Sequence, residues 1–141
     1  MAPVSRIFAL KPFRRPRLWS GLWLLAVSGV VVLSLVNLSG LPPVPEGGDK
    51  VEHFLAYALL SASAMQLFAT RRGCVLVAAL LVALGVGLEF AQGALTTTRM
   101  ADPRDALANT LGVLTGLATL FTPLRGMLLA VDTRLRPRRA A

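Results

Sequence analysis

Residues 49–69 read DKVEHFLAYALLSASAMQLFA. Asp49, Lys50, Glu52, His53 and Tyr57 crowd the first turns of a stretch that is otherwise apolar. Its length suits a membrane-spanning helix, which needs roughly 20 predominantly apolar residues to cross a hydrocarbon core of about 30 Å. Charged groups at a helix start have two explanations. They are caps for the free backbone N–H groups, or they are one wall of a site. The rest of the sequence weighs these against each other.

Of 141 residues, 55% are hydrophobic and only 16% charged. A water-soluble domain of this size carries more polar residues. Besides 51–69, the stretches 18–38, 74–95 and 105–124 are long and apolar enough to span. The sequence therefore predicts an all-α membrane protein, a bundle of four transmembrane helices. Residues 1–17 form a basic segment ahead of the membrane domain (18–124), and 125–141 form a basic tail. The first apolar run is longer than the 7–15 residues of a signal-peptide core, and it reads as a retained anchor.

Twelve of the 15 basic residues fall before the first stretch, at 71–72, or after the fourth; Lys50, Arg99 and Arg104 are the other three. By the positive-inside rule, both termini and the 70–73 turn are cytoplasmic. The net charge of +8 suggests anionic lipid as a partner, and no nucleic-acid-binding module is readable. In the tail, Leu124, Met127, Leu128, Val131 and Leu135 recur at helical spacing, which predicts a short amphipathic helix lying in the interface. Cys74 stands alone and reads as a small packing residue.

The acids have the opposite distribution. Asp132 lies in the basic tail, but Glu46, Asp49, Glu52, Glu89, Asp102 and Asp105 all fall toward the other side. With a rise of about 1.5 Å per residue, Tyr57 and Glu89 each sit roughly 9 Å into their stretches and Asn109 about 6 Å. Three helices thus bring polar groups to one shallow layer. Glu89 has no other charge within nine residues on either side. An intramembrane carboxylate costs about 2.5–3.5 kcal/mol near the bilayer centre and normally faces the bundle interior. Gln92 shares its helix face at i+3, and Arg99 follows seven residues later. In the fourth stretch, Asp105, Asn109, Gly112 and Gly116 lie on one face. The two glycines predict close approach of a neighbouring helix.

Capping is the competing account. Asp49 with Glu52, and Asp102 with Pro103 and Asp105, fit helix N-termini. Caps do not account for Glu89, Gln92 or Asn109.

The ordered set Asp49-Lys50-x-x-His53-Phe54-x-x-Tyr57, Glu89-x-x-Gln92, and Arg99-x-x-Asp102-x-x-Asp105-x-x-x-Asn109-x-x-Gly112-x-x-x-Gly116 resembles the VanZ-like family of small bacterial integral membrane proteins. The resemblance covers about 49–120. It implies a cell-envelope role in the bacterial cytoplasmic (inner) membrane, with a link to resistance against the glycopeptide teicoplanin. It implies no defined reaction.

The expected site is a polar pocket near the outer leaflet formed by Asp49, Lys50, His53, Tyr57, Glu89, Gln92, Arg99, Asp102, Asp105 and Asn109. Its expected ligand is an amphiphile of the envelope: a phospholipid, a lipid-linked precursor or a lipoglycopeptide. Binding or shielding is preferred to catalysis, for want of a placed Ser or Cys nucleophile. The alternative is an enzyme acting on a lipid headgroup or phosphate through Asp49, His53, Glu89 and Asp105, with His53 as general base. A third reading is an oligomeric carrier or pore. No cofactor is expected, although those four residues would also suit a divalent cation.

Overall fold

A computed structural model describes residues 7–36, 47–95 and 102–135. The described residues fold into helices: α1 (Pro16–Leu35), α2 (Gly48–Leu67), α3 (Arg71–Leu95), α4 (Pro103–Ala118) and α5 (Met127–Arg134). Two short 3-10 turns, Thr119–Phe121 and Pro123–Gly126, join α4 to α5. α1 and α3 are each long and apolar enough to cross a membrane. A third span counts if α4 and its continuation, bent by 80°, are taken as one broken span. α2 has the length, but Asp49, Lys50, Glu52 and His53 in its first turns dilute its hydropathy.

Local chemistry sets the helix ends. Pro16 and Pro103 open α1 and α4, where a missing N–H costs nothing. Gly47 precedes α2 at φ 78, a left-handed conformation that favours glycine. The Asp49–Glu52 capping box does not form, because the N-cap is Gly47, two residues before Asp49, and no side chain caps the helix. Asp102 does cap α4, accepting the Arg104 N–H at 2.9 Å. The α-helical part of the fourth stretch ends at Ala118, earlier than its hydropathy suggests. Thr122, ahead of Pro123, is held extended (φ −117, ψ 160), and this breaks the helix.

α2 and α4 form the most extensive helix pair. The reason lies in α4, where the α2 backbone passes directly over Gly112 and Gly116. A Cβ on Gly112 would collide with the Phe54 carbonyl oxygen, and one on Gly116 would lie 2.6 Å from Ala58 O and Ala62 N. Ser61 Oγ donates to Val113 O across the same seam at 2.8 Å. Gly112→Ala is therefore expected to lower stability by about 1–3 kcal/mol, since backbone rather than a movable side chain must yield. Thermal unfolding of the detergent-purified protein measures this.

The core below the seam is apolar: Leu60, Ala64, Met65, Val77, Ala78, Leu81 and Val113 are buried together. α1 docks on its rim, with Trp23 Nε1 donating to Leu60 O at 3.0 Å. None of the apolar window of α1 is buried inside the protein. Leu25 is 68% exposed, and Leu59, Leu80 and Leu114 also point outward from α2, α3 and α4. An apolar girdle this wide suits lipid rather than water.

One end of the bundle is a polar layer; the other is closed by the N-terminal segment. There Lys11 N donates to Leu67 O (2.9 Å) and Ala69 N to Ala9 O (2.8 Å), pinning residues 9–11 beneath the α2–α3 turn. The Lys11 ammonium donates to the carbonyls of Met65 and Arg125. Burial, followed by repulsion from Arg125, pushes its pKa below the ordinary lysine value. α5 lies alongside, held by Leu128 N on Gln66 Oε1 at 2.8 Å. Asp132, fully buried, accepts from Trp19 Nε1 at 2.8 Å and from Arg14 N at 2.5 Å.

Candidate functional site

The polar layer has two tiers. In the upper tier the Lys50 ammonium, at the start of α2, meets Asp49 Oδ2 at 3.1 Å, Asp102 Oδ2 at 3.1 Å and Asp105 Oδ1 at 3.2 Å. This clasp ties the mouth of α2 to that of α4. The Arg104 N–H first, and Lys50 second, hold the Asp102 carboxyl below the usual carboxylate pKa. Asp102 is thus both a cap and an ion-pair partner, so its two readings do not exclude each other.

The lower tier centres on His53. Its Nδ1 lies 3.0 Å from Asn109 Oδ1 and 3.9 Å from Glu89 Oε1, while Nε2 lies 4.0 Å from Asp105 Oδ2. Three helices supply these groups: α2, α3 and α4. Glu89 is only 5% exposed, and neither carboxylate oxygen has a hydrogen-bond partner among the described residues. The Tyr57 hydroxyl is in the same condition, on a side chain that is 1% exposed. Gln92 is buried one turn from Glu89, and its Nε2 donates to Ser34 O of α1 at 2.8 Å. Among the described residues, the carboxylates of Asp49, Glu89, Asp102 and Asp105 outnumber the cationic groups of Lys50 and Arg104, the latter acting on Asp102. Glu89 is the buried one of the four, and a buried carboxylate is costly unless positive charge or a proton is supplied.

Of the ten expected site residues, nine lie in or beside this layer, and Arg99 falls outside the described residues. Glu52 is exposed, on the wall of a cavity of ≈ 230 Å³ between α1 and α2, which Val30, Leu33, Ala56, His53 and Tyr57 also line. A second cavity of ≈ 210 Å³, between α3 and α4, has walls of Val86, Phe90, Pro103 and Ala106, with Glu89 and Asp102 on its polar side. Sequence reasoning missed Ser34 and the contribution of α1 altogether. It also missed Gly85, where a Cβ would lie 3.0 Å from Asn109 Cβ and 3.2 Å from Tyr57 Cε1. Spacing held a signal for Gly85: it precedes Glu89 by four residues, on the same helix face.

No family model, curated protein or solved structure matches the chain.

Proposed function

We propose that the chain is a multi-pass protein of the bacterial cytoplasmic membrane that captures an amphiphile at its polar layer. In this reading α1 to α4 are four spans, with the end closed by residues 7–13 in the cytoplasm. Lys11, Arg14, Arg15, Arg71, Arg72 and Arg125 lie in the segments that form that end, which supports the orientation through the positive-inside rule. The resemblance to the VanZ-like family supports a place in the cell envelope.

One observation carries the binding reading. Glu89 is buried with no hydrogen bond of normal geometry to its oxygens among the described residues, on the wall of a cavity that is apolar apart from Glu89 and Asp102. An apolar wall suits an acyl chain, and an unpaired carboxylate beside it suits a cationic group. The headgroup that matches is an amine, because among the described residues carboxylates outnumber cationic side chains in the layer. Binding fits better than catalysis: Ser34 and Tyr57 share a cavity wall with His53, but among the described residues no hydrogen bond joins His53 to a hydroxyl or thiol.

The test uses the full chain in bilayer nanodiscs with equimolar ethanolamine and glycerol phospholipids. Native mass spectrometry is expected to retain the ethanolamine lipid preferentially, with the preference lost in His53→Ala. Equal retention of both lipids by the parent protein would contradict the reading.

A further inference from the structure

We propose that His53, Glu89 and Asp105 form a site for a divalent transition-metal ion of the Zn²⁺ or Mn²⁺ class. One ligand atom from each of the three lies within 4.8 Å of the others. A tetrahedral ion with bonds of about 2.0–2.1 Å needs ligand–ligand edges of about 3.4 Å. An ion therefore requires the three side chains to draw together by up to about 1.4 Å.

A cluster of acids alone does not make a metal site. Two further features point to an ion here. The first is Glu89, 95% buried, facing His53, with both oxygens lacking hydrogen-bond partners among the described residues. Buried carboxylates in folded proteins are paired, and an orphan of this kind calls for an ion or water. The second is Asn109, which is 1% exposed. Its Oδ1 lies 3.0 Å from His53 Nδ1 and can accept only if that nitrogen carries the proton. The Nε2 lone pair is then free and faces Asp105 at 4.0 Å, and Glu89, whose contact is to Nδ1 at 3.9 Å, must turn toward Nε2 to share an ion. An imidazole whose second nitrogen donates to an oxygen is the usual arrangement around a metal-bound histidine. Asn109 is accordingly a positioning residue rather than a ligand.

The donor set selects the class of ion. Mg²⁺ and Ca²⁺ favour all-oxygen shells, whereas one imidazole with two carboxylates suits Zn²⁺ or Mn²⁺. Three protein ligands leave a coordination position open, as in metal sites that exchange a water or a substrate atom. The site does not depend on the amphiphile reading. Both demand positive charge beside Glu89, so ion and amine headgroup would compete.

The experiment uses the full chain, purified in detergent with any affinity tag removed, stripped with chelator and dialysed against low-micromolar Zn²⁺ or Mn²⁺. Elemental analysis is expected to find about one equivalent per chain for at least one of the two ions. For bound Zn²⁺, X-ray absorption should show an imidazole among ligands at about 2.0–2.2 Å. Glu89→Gln and His53→Ala should each weaken binding by at least about tenfold while gel-filtration profile and helicity stay unchanged. Sub-stoichiometric binding of both ions by the parent protein overturns the proposal, whatever the variants do. So does an oxygen-only shell around bound Zn²⁺, or undiminished affinity in a folded Glu89→Gln protein. Ethanolamine-lipid retention in metal-free protein is read separately, so either proposal can fail alone.

Discussion

Glu89→Leu is expected to be more stable than the parent protein and to lose metal binding. A residue that only holds the fold together behaves in the opposite way. Removing one partner of a satisfied buried network leaves the other unpaired and costs about 3–5 kcal/mol. Removing Glu89 strands little: no hydrogen bond of normal geometry reaches its oxygens among the described residues, its contact with His53 Nδ1 is long at 3.9 Å, and that nitrogen already has Asn109 Oδ1. Replacing an uncompensated buried acid with a side chain suited to its apolar surroundings is often stabilising, by about 1–4 kcal/mol. Val86 and Phe90 already provide such surroundings. Differential scanning calorimetry of metal-free protein, beside Zn²⁺ and Mn²⁺ binding, checks both halves. A less stable Glu89→Leu protein would make Glu89 part of the scaffold. Residues kept at a cost in stability are those on which function acts.

Asp132→Ala should do the reverse at the other end of the bundle. Asp132 accepts from the Trp19 indole and the Arg14 amide, so it holds α5 against the start of α1. Alanine leaves both donors without an acceptor in a buried position. Folded yield is expected to fall several-fold, as it does for destabilisation of this kind in cells. Protease cleavage near Arg14 and Arg15 should rise, because the segment beneath the bundle loses its anchor. Metal binding by the fraction that folds should be unchanged. Yield, limited proteolysis and the metal titration together check this prediction, and an unaffected yield would mean that α5 contributes little to the closed end.

The polar layer was legible in the sequence because its members are chemically out of place. A carboxylate in ALGVGLEFAQGAL needs an explanation, and helical spacing supplied its neighbours. Gly112 and Gly116 were legible for the same reason, as small residues on a face otherwise expected to be bulky. The competing account of Asp49 and Glu52 as a cap fails because capping depends on where the helix begins to within a residue, and Gly47 shifts that point. The closed end was opaque. Lys11 and Asp132 sit in basic segments where a solvated charge is the ordinary reading, and their partners are 54 to 118 residues away in sequence. Most of those partners are backbone groups, which leave no trace in side-chain pattern. α1 was read as an anchor alone because its contribution, the Ser34 carbonyl and an apolar cavity wall, has no polar signature.

The apolar core beneath His53 has a consequence for traffic. Leu60, Ala64, Met65, Leu81 and Val113 fill the bundle below the polar layer, and the Lys11 segment lies across its foot. Among the described residues this makes a blind alley. In the proposed orientation, a molecule that enters from the outer face must leave by the way it came. Such a chamber lets a single copy sequester its cargo or hold it out of reach, but not deliver it to the cytoplasm.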